Sequence, residues 1–360
     1  MTKPAALLLA DGTRFDGEGI GPGALALGEA VFYTGMTGYE EALTDPSYAG
    51  QILTFTFPEI GNYGVSGIAA QHPRACVAGA VMKHISRHPS HHGSKSDLPS
   101  WLAAEGVPTL TGIDTRRLTT VLREHGTIRA GLAVGEEALA RLESALVPYA
   151  RETSTVGLVA QVAAREISHL GRDAPGPHIV LIDCGVKRAI LRNLGALGAR
   201  VTVVPYTSDA AEILALAPDA VVISPGPGDP VDVPETIETL RRLMGSVPMF
   251  GVCLGHQLLA LACGARTYKL PYGHRGGNQP VKDLVRDAVL ITAHNHGYAV
   301  AGESLPAELE ATMVNLNDGT NEGFRHRELP IVAVQFHPEA SPGPFDARFL
   351  FAEWLSSLAS

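Results

Sequence analysis

Positive charge is in short supply in this 360-residue chain: 28 Lys and Arg stand against 37 Asp and Glu, a formal net charge of −9. That balance argues against a broad nucleic-acid-binding face, while leaving room for a local basic patch. Cysteine is scarce too. The four present, Cys76, Cys184, Cys253 and Cys263, have neither CxxC spacing nor the density of a disulfide scaffold, so a reducing compartment fits. Long hydrophobic runs are missing: the apolar stretch 5–10 is too short for a signal peptide or a membrane span, and nothing of membrane length follows. We therefore expect a cytoplasmic protein that binds neither membrane nor nucleic acid. Neither Gly-x-x-x-x-Gly-Lys-[Ser/Thr] nor a helix-opening Gly-x-Gly-x-x-Gly occurs, so ATP binding has no motif to rest on.

What is present suffices for two cores, since 45% of residues are hydrophobic and the length suits two domains. The halves differ in texture. Residues 1–150 are rich in glycine turns and short strand candidates (5–9, 29–33, 51–55, 75–82), with helices predicted at 115–124 and 135–146, which reads as a small mixed α+β domain. Between them 84–100 reads as a polar loop. His88, His91 and His92 there have only Asp97 as an added ligand candidate, so a solvated loop is preferred to a metal site. Residues 151–177 connect, ending in the linker-like Gly171-Arg172-Asp173-Ala174-Pro175-Gly176-Pro177.

From 178 to 360 apolar strand candidates alternate with helices of about ten residues. The pattern predicts an α/β domain with a mostly parallel sheet and helices on both faces. Ligands bind such sheets beyond the strand carboxyl ends. Three turns are placed there together: Asp183-Cys184-Gly185, Ser224-Pro225-Gly226-Pro227-Gly228-Asp229-Pro230, and the turn around Cys253.

The Cys253 turn carries the strongest chemical signal. Gly251-Val252-Cys253-Leu254-Gly255-His256-Gln257 follows Val247-Pro248-Met249-Phe250, and glycines flanking the cysteine let a strand bend sharply into a helix, holding the thiol exposed at the strand end. The helix predicted at 254–263 points free N–H groups at the sulfur, which suits a thiolate. Further on, Gln335-Phe336-His337-Pro338-Glu339 offers an imidazole to exchange protons with the thiol and a carboxylate to orient it, the two on one side if the segment is extended. A lone cysteine is usually a small inert hydrophobe and His-Pro-Glu is ordinary loop sequence. The two together favour a nucleophile with its base and orienter. Glycines of the Pro-Gly-Pro-Gly loop would let backbone N–H groups approach a substrate as an oxyanion hole requires.

Residues 178–357 resemble class I glutamine amidotransferases, and the whole chain resembles the small-subunit family of carbamoyl-phosphate synthetases. The resemblance is carried by 37–48 (Thr-Gly-Tyr-Glu-Glu-Ala-Leu-Thr-Asp-Pro-Ser-Tyr), 112–119 (Gly-Ile-Asp-Thr-Arg-Arg-Leu-Thr), 224–230, 251–259, 273–278 (Gly-His-Arg-Gly-Gly-Asn), Asn295-His296-Gly297 and 335–344. It implies that Cys253 attacks the side-chain amide of L-glutamine, with His337 as acid–base group and Glu339 as orienter. It also implies oxyanion contacts from the N–H groups of Leu254 and Gly226, and glutamine contacts from Ser47, Gly226, Gly228, Leu254, Gln257, Asn295, Gly297 and Tyr298. Ser47 would reach the substrate from the amino-terminal domain, which the resemblance also makes a docking domain. No cofactor or metal is implied for this chain. The family's large subunit, as partner, would use ATP, Mg and bicarbonate with the transferred ammonia to make carbamoyl phosphate. Pro225 stands where the family commonly has asparagine, and Tyr298 where phenylalanine is common; neither removes a catalytic atom. Two rivals remain: an interaction protein that kept an amidotransferase shell, disfavoured by the intact Cys253, His337 and Glu339, and a cysteine hydrolase of another γ-glutamyl amide, disfavoured by the amino-terminal match.

Overall fold

The computed structural model describes residues 3–152 and 154–358. They form two compact units, Met1–Ser154 with Pro271–Arg275, and Thr155–Leu270 with Gly276–Ser360. The short return of Pro271–Arg275 to the first unit breaks a purely linear division of the chain.

The first unit is built on a closed barrel in the order Lys3–Leu9, Arg14–Ile20, Thr109–Thr111, Gly79–Val81, Gln51–Phe55, Ala24–Tyr33, Ile128–Val134. Neighbours at the ends of the chain order pair antiparallel, whereas Ala24–Tyr33 with Gln51–Phe55, Gln51–Phe55 with Gly79–Val81, and Gly79–Val81 with Thr109–Thr111 pair parallel. One buried cluster joins Leu7, Ile52, Leu110 and Leu132 from the strands to Leu118 and Leu122 of helix Thr115–His125, two residues four apart and so on one helix face. Asp114 caps that helix by accepting from the Arg117 N–H at 2.9 Å, an arrangement worth about 1 kcal/mol. The sequence pattern gives four of these strands, at 5–9, 29–33, 51–55 and 75–82, and the helices at 115–124 and 135–146, but neither Arg14–Ile20, Thr109–Thr111 and Ile128–Val134 nor the closure. The segment 84–100 departs from a plain loop, because His84–Ile85 pairs with Glu59–Ile60 and helix Leu98–Ala104 begins inside it. Asp97 is that helix's cap, accepting from the Ser100 N–H and hydroxyl, so its carboxylate is committed to the backbone.

The second unit is a ten-stranded mixed sheet. Its centre is parallel: Arg200–Pro205, His178–Asp183, Ala220–Ile223, Met249–Val252 and Ile331–Val334 follow one another in register. Beyond that centre the pairing turns antiparallel, with Ser168–Leu170 on one side and Asn321–His326, Leu309–Asn315 and Thr267–Asp283 on the other. The sheet is thus parallel only in its middle, since strands joined by tight connections such as 327–330 can only return antiparallel. Alternation along His178–Asp183 divides the core. Val180 and Ile182 pack with Ile237, Leu240, Leu258 and Leu259 from helices Pro234–Leu243 and Leu254–Ala262, whereas Ile179 and Leu181 pack with Ile190, Leu194, Phe351 and Trp354 from helices Arg188–Ala196 and Phe349–Ser357. No helix among the described residues is long and apolar enough to cross a membrane.

Candidate active site

Strand Met249–Val252 runs straight into helix Leu254–Ala262, leaving Cys253 alone between them at φ 55° and ψ −104°. A side chain held there costs on the order of 1–3 kcal/mol, which the surrounding contacts must offset. They do so through close packing of the backbone. A Cβ on Gly255 would lie 2.3 Å from the Ile223 carbonyl oxygen, and one on Gly251 2.6 Å from that of Gly255. Both flanking glycines are therefore required by space. Gly255→Ala is expected to lose about 1–3 kcal/mol of stability and most activity, read by thermal melting and turnover; a variant with wild-type values in both would show that the turn can relax.

The thiol is not held out in solvent, as the sequence suggests; Cys253 is 2% exposed. The Asn295 carbonyl oxygen and the Gln335 side-chain Nε2 each approach Sγ to 3.7 Å and cover it. The backbone of Cys253 is fixed from both sides, its N–H donating to Val334 O at 2.9 Å and its carbonyl accepting from Gln257 N at 3.2 Å.

His337 and Glu339 come together, though not along an extended segment. The chain turns at Pro338, with the Ala340 N–H donating to His337 O at 3.2 Å, and Nδ1 of His337 lies 2.7 Å from Glu339 Oε1. The His337 N–H donates to Ala293 O at 2.8 Å, tying this turn to strand Ala288–Val300. Nε2 makes no hydrogen bond of ordinary geometry among the described residues, and Cys253 is the thiol it adjoins. Burial by itself lowers the affinity of the His337 imidazole for its proton, but the Glu339 carboxylate and Cys253 outweigh both burial and Lys187 and raise its pKa to about 10.

Lys187 was not apparent from sequence. Its Nζ lies 2.8 Å from the same Glu339 Oε1 that meets His337, and the lysine is 2% exposed. Burial pushes the Glu339 carboxyl up, yet Lys187 and then His337 overcome it and hold the pKa at about 2, so this carboxylate stays charged. Asp183 shapes the turn that delivers the lysine, accepting from Gly185 N at 2.8 Å and Val186 N at 2.7 Å, while its other oxygen accepts from Ala164 N at 2.8 Å.

The Pro-Gly-Pro-Gly loop lies against this turn. Ser224 Oγ accepts from Cys184 N at 2.9 Å and donates to Pro225 O at 2.8 Å. A Cβ on Gly226 would stand 2.3 Å from Cys184 O and 2.8 Å from Leu254 Cδ2, so Gly226 and Leu254 are neighbours. Thr155 pins the far side: its Oγ1 accepts from Asp229 N at 2.7 Å, its N–H and hydroxyl donate to Asp232 Oδ2 at 2.8 and 2.7 Å, and it lies under Gly228. Thr155 and Asp232 give no sequence signal, because neither stands in a motif. Gln257 Nε2 donates to Tyr298 O at 2.7 Å and Gln335 Oε1 at 3.0 Å. Asn295, Gly297 and Tyr298 follow one another on strand Ala288–Val300. Every expected site residue except Ser47 therefore belongs to the second unit. Ser47 is in the first, in a short 3-10 turn capped by Asp45, with its Oγ buried and without a hydrogen-bond partner among the described residues.

Residues 180–356 match the glutamine amidotransferase class-I family, which sets the class, and residues 7–132 match the carbamoyl-phosphate synthase small chain, CPSase domain. Similar proteins include the carbamoyl phosphate synthase small chain of Symbiobacterium thermophilum, 50% identical over 351 residues and 96% of each chain. The Methanopyrus kandleri carbamoyl phosphate synthase small chain is 48% identical over 98% of each chain. The one from Listeria monocytogenes is 46% identical over 99% of this chain and 97% of its own. This chain belongs to the carbamoyl phosphate synthase small-chain family.

Proposed function

We propose that the chain is the glutaminase subunit of a carbamoyl phosphate synthase, hydrolysing L-glutamine at Cys253 and passing the ammonia to a large subunit. The observation that carries the chemistry is Cys253 in its strained turn beside the His337 imidazole, whose Nδ1 is held by Glu339 while Nε2 keeps no ordinary partner among the described residues. His337, whose raised pKa favours the imidazolium, holds the thiol's proton as Sγ attacks the amide carbon of glutamine. The N–H groups of Leu254 and Gly226 receive the oxyanion. His337 then returns the proton to the departing nitrogen, and ammonia leaves a γ-glutamyl thioester. Water, deprotonated by His337, attacks that thioester to release glutamate and restore the thiol. Lys187 and Asp183 act behind Glu339, as positioning residues.

Gly228, Gln257, Asn295, Gly297 and Tyr298 would hold the ammonium and carboxylate of glutamine, neutral groups and backbone suiting a zwitterion better than a cluster of one charge. Ser47 would add a hydroxyl from the first unit. Ser47→Ala is then expected to raise KM for glutamine about tenfold with kcat little changed, the cost of one hydrogen bond to a charged group. An unchanged KM would remove Ser47 from the site.

Membership of the family supports a larger subunit as partner, which would consume ATP and bicarbonate with the help of Mg, while this chain would need no cofactor and would act in the cytoplasm, in arginine and pyrimidine synthesis. The first unit would serve as the docking domain. The test is glutamate release by the purified chain alone and with its cognate large subunit, ATP and bicarbonate. Faster turnover and carbamoyl phosphate in the second mixture are expected, because docking can improve the geometry around Gly226 and Cys253. Equal turnover without carbamoyl phosphate would favour a stand-alone hydrolase.

A further inference from the structure

Strand Ala288–Val300 carries more than its carbonyl contacts to His337 and Cys253. Its alternation places His294 and His296 on one face, two residues apart and both buried. His294 Nδ1 lies 3.1 Å from His296 Nε2 and 3.7 Å from Oε1 of Glu322, on strand Asn321–His326. His274, on strand Thr267–Asp283, completes the group: each of the four side chains offers one ligand atom within 4.8 Å of the others. All four residues are buried.

Imidazoles with a carboxylate at such separations are a donor set for zinc. Zinc bound tetrahedrally at about 2.0–2.2 Å from nitrogen and oxygen holds its ligand atoms about 3.3 Å apart, and the 3.1 and 3.7 Å separations bracket that requirement. No separation in the group exceeds 4.8 Å, so small side-chain shifts close the rest. The groups behind the ligands agree. His296 Nδ1 lies 2.8 Å from the Tyr298 carbonyl oxygen, which can only accept, so that nitrogen carries a proton and Nε2 can turn a lone pair into the cluster. His294 Nε2 lies 2.7 Å from Thr292 Oγ1, whose own proton goes to Gln279 O at 2.9 Å, which leaves Nδ1 for the cluster. Both rings are thus held from behind, as metal-bound imidazoles are. Glu322 Oε1 accepts from Asn315 Nδ2 at 2.9 Å, which orients the carboxylate in the same way. Four protein ligands with every one buried suit a closed, structural site rather than a catalytic one.

We propose that His274, His294, His296 and Glu322 form a structural zinc site that ties together strands Thr267–Asp283, Ala288–Val300 and Asn321–His326. The family resemblance implies no metal in this chain and the hydrolysis proposed above needs none, so the part of the ion is to hold these strands. Two of them stand behind the candidate active site. Ala288–Val300 brings the Ala293 carbonyl to the His337 N–H and the Asn295 carbonyl to Sγ of Cys253, while the Glu322 carbonyl accepts from Gln335 N at 2.9 Å. Zinc binding itself stands independently of what Cys253 does.

The test is zinc binding by the purified full chain, stripped with a chelator and titrated with Zn2+ against a chromophoric competitor. Cys253→Ala is titrated beside it, because the thiol with His337 could also take the ion. One zinc per chain is expected in both proteins, with an X-ray absorption spectrum showing nitrogen and oxygen neighbours and no sulfur. His294→Gln and Glu322→Gln should each weaken binding by more than about 100-fold. Thr292→Val, which keeps every ligand and removes only the oxygen behind His294, should weaken it by about 10- to 100-fold. Circular dichroism establishes that each variant is folded, and Thr292→Val carries the comparison where a ligand variant is not. No stoichiometric zinc in the unaltered chain, sulfur in the metal's shell, binding lost in Cys253→Ala, or wild-type affinity in the folded variants would each overturn the site. Absence of glutaminase activity in the unaltered chain would instead count against the proposed function and leave the zinc titration as the measure of the site.

Discussion

Cys253→Ala is expected to abolish glutamine hydrolysis, leaving turnover at the level of the uncatalysed background while the protein still folds. The sulfur is the group that must form and break a bond to the side-chain amide carbon of glutamine, and no neighbouring side chain can substitute for it. Truncation to alanine removes one buried atom and keeps the backbone bonds to Val334 and Gln257, so the stability cost should be about 1 kcal/mol. The other three cysteines offer no alternative nucleophile. Burial, with Asp45 adding to it, raises Cys76 to about 12; burial and Glu308 raise Cys263 to about 11; and burial with Asp183 pushes Cys184 higher still. All three stay as thiols near neutral pH. Residual hydrolysis in Cys253→Ala that disappears when Cys184 or Cys263 is also replaced would overturn the assignment.

His337→Asn is expected to cost far more than Glu339→Gln. The first removes the group placed to carry the proton from the thiol to the leaving nitrogen, and a loss on the order of 10⁵-fold in kcat is expected. The second leaves the imidazole in place, with Nδ1 still able to meet the amide oxygen of the glutamine, so its loss should be milder by on the order of 100-fold. Glu339 also pairs with buried Lys187, and its neutralisation should destabilise the fold by about 3 kcal/mol. Thermal melts of both variants therefore accompany the kinetics, and turnover is compared well below the lower melting point. Equal or reversed losses in kcat at matched folded fractions would contradict the separation of roles.

The chain's periodicity revealed the parallel centre of the second unit because buried parallel strands there, such as Ile179–Ile182 and Ala220–Ile223, read as short apolar runs between amphipathic helices. It was silent on the antiparallel extension. Strand Thr267–Asp283 mixes Lys269, Gly273, Arg275 and Asn278 with few apolar positions, and only its partners define it as a strand. Barrel closure in the first unit was equally hidden, because it depends on pairings such as Lys3–Leu9 with Ile128–Val134, distant in sequence and carrying no local mark.

Around the cysteine the same distinction holds. The Gly-x-Cys-x-Gly spacing shows in sequence because each glycine answers a local close approach, and His337 stands two residues from Glu339, near enough for the pair to be noticed. Lys187 lies far from Glu339 in sequence and within an ordinary Val-Lys-Arg stretch; a lysine there is as readily a solvated side chain. Its burial arises only when the turn before helix Arg188–Ala196 meets the Glu339 turn. Burial of Cys253 itself could not be foreseen either, since it is imposed by Asn295 and Gln335 from other elements.

The most direct measurement is acid-quench mass spectrometry of the full chain mixed with glutamine, followed by peptide mapping of any γ-glutamyl adduct. A γ-glutamyl thioester confined to the peptide containing Cys253, absent in Cys253→Ala and released on hydrolysis as glutamate, is the predicted result. Sustained glutamate formation with the adduct on Cys76, Cys184 or Cys263, or undiminished in Cys253→Ala, would contradict it.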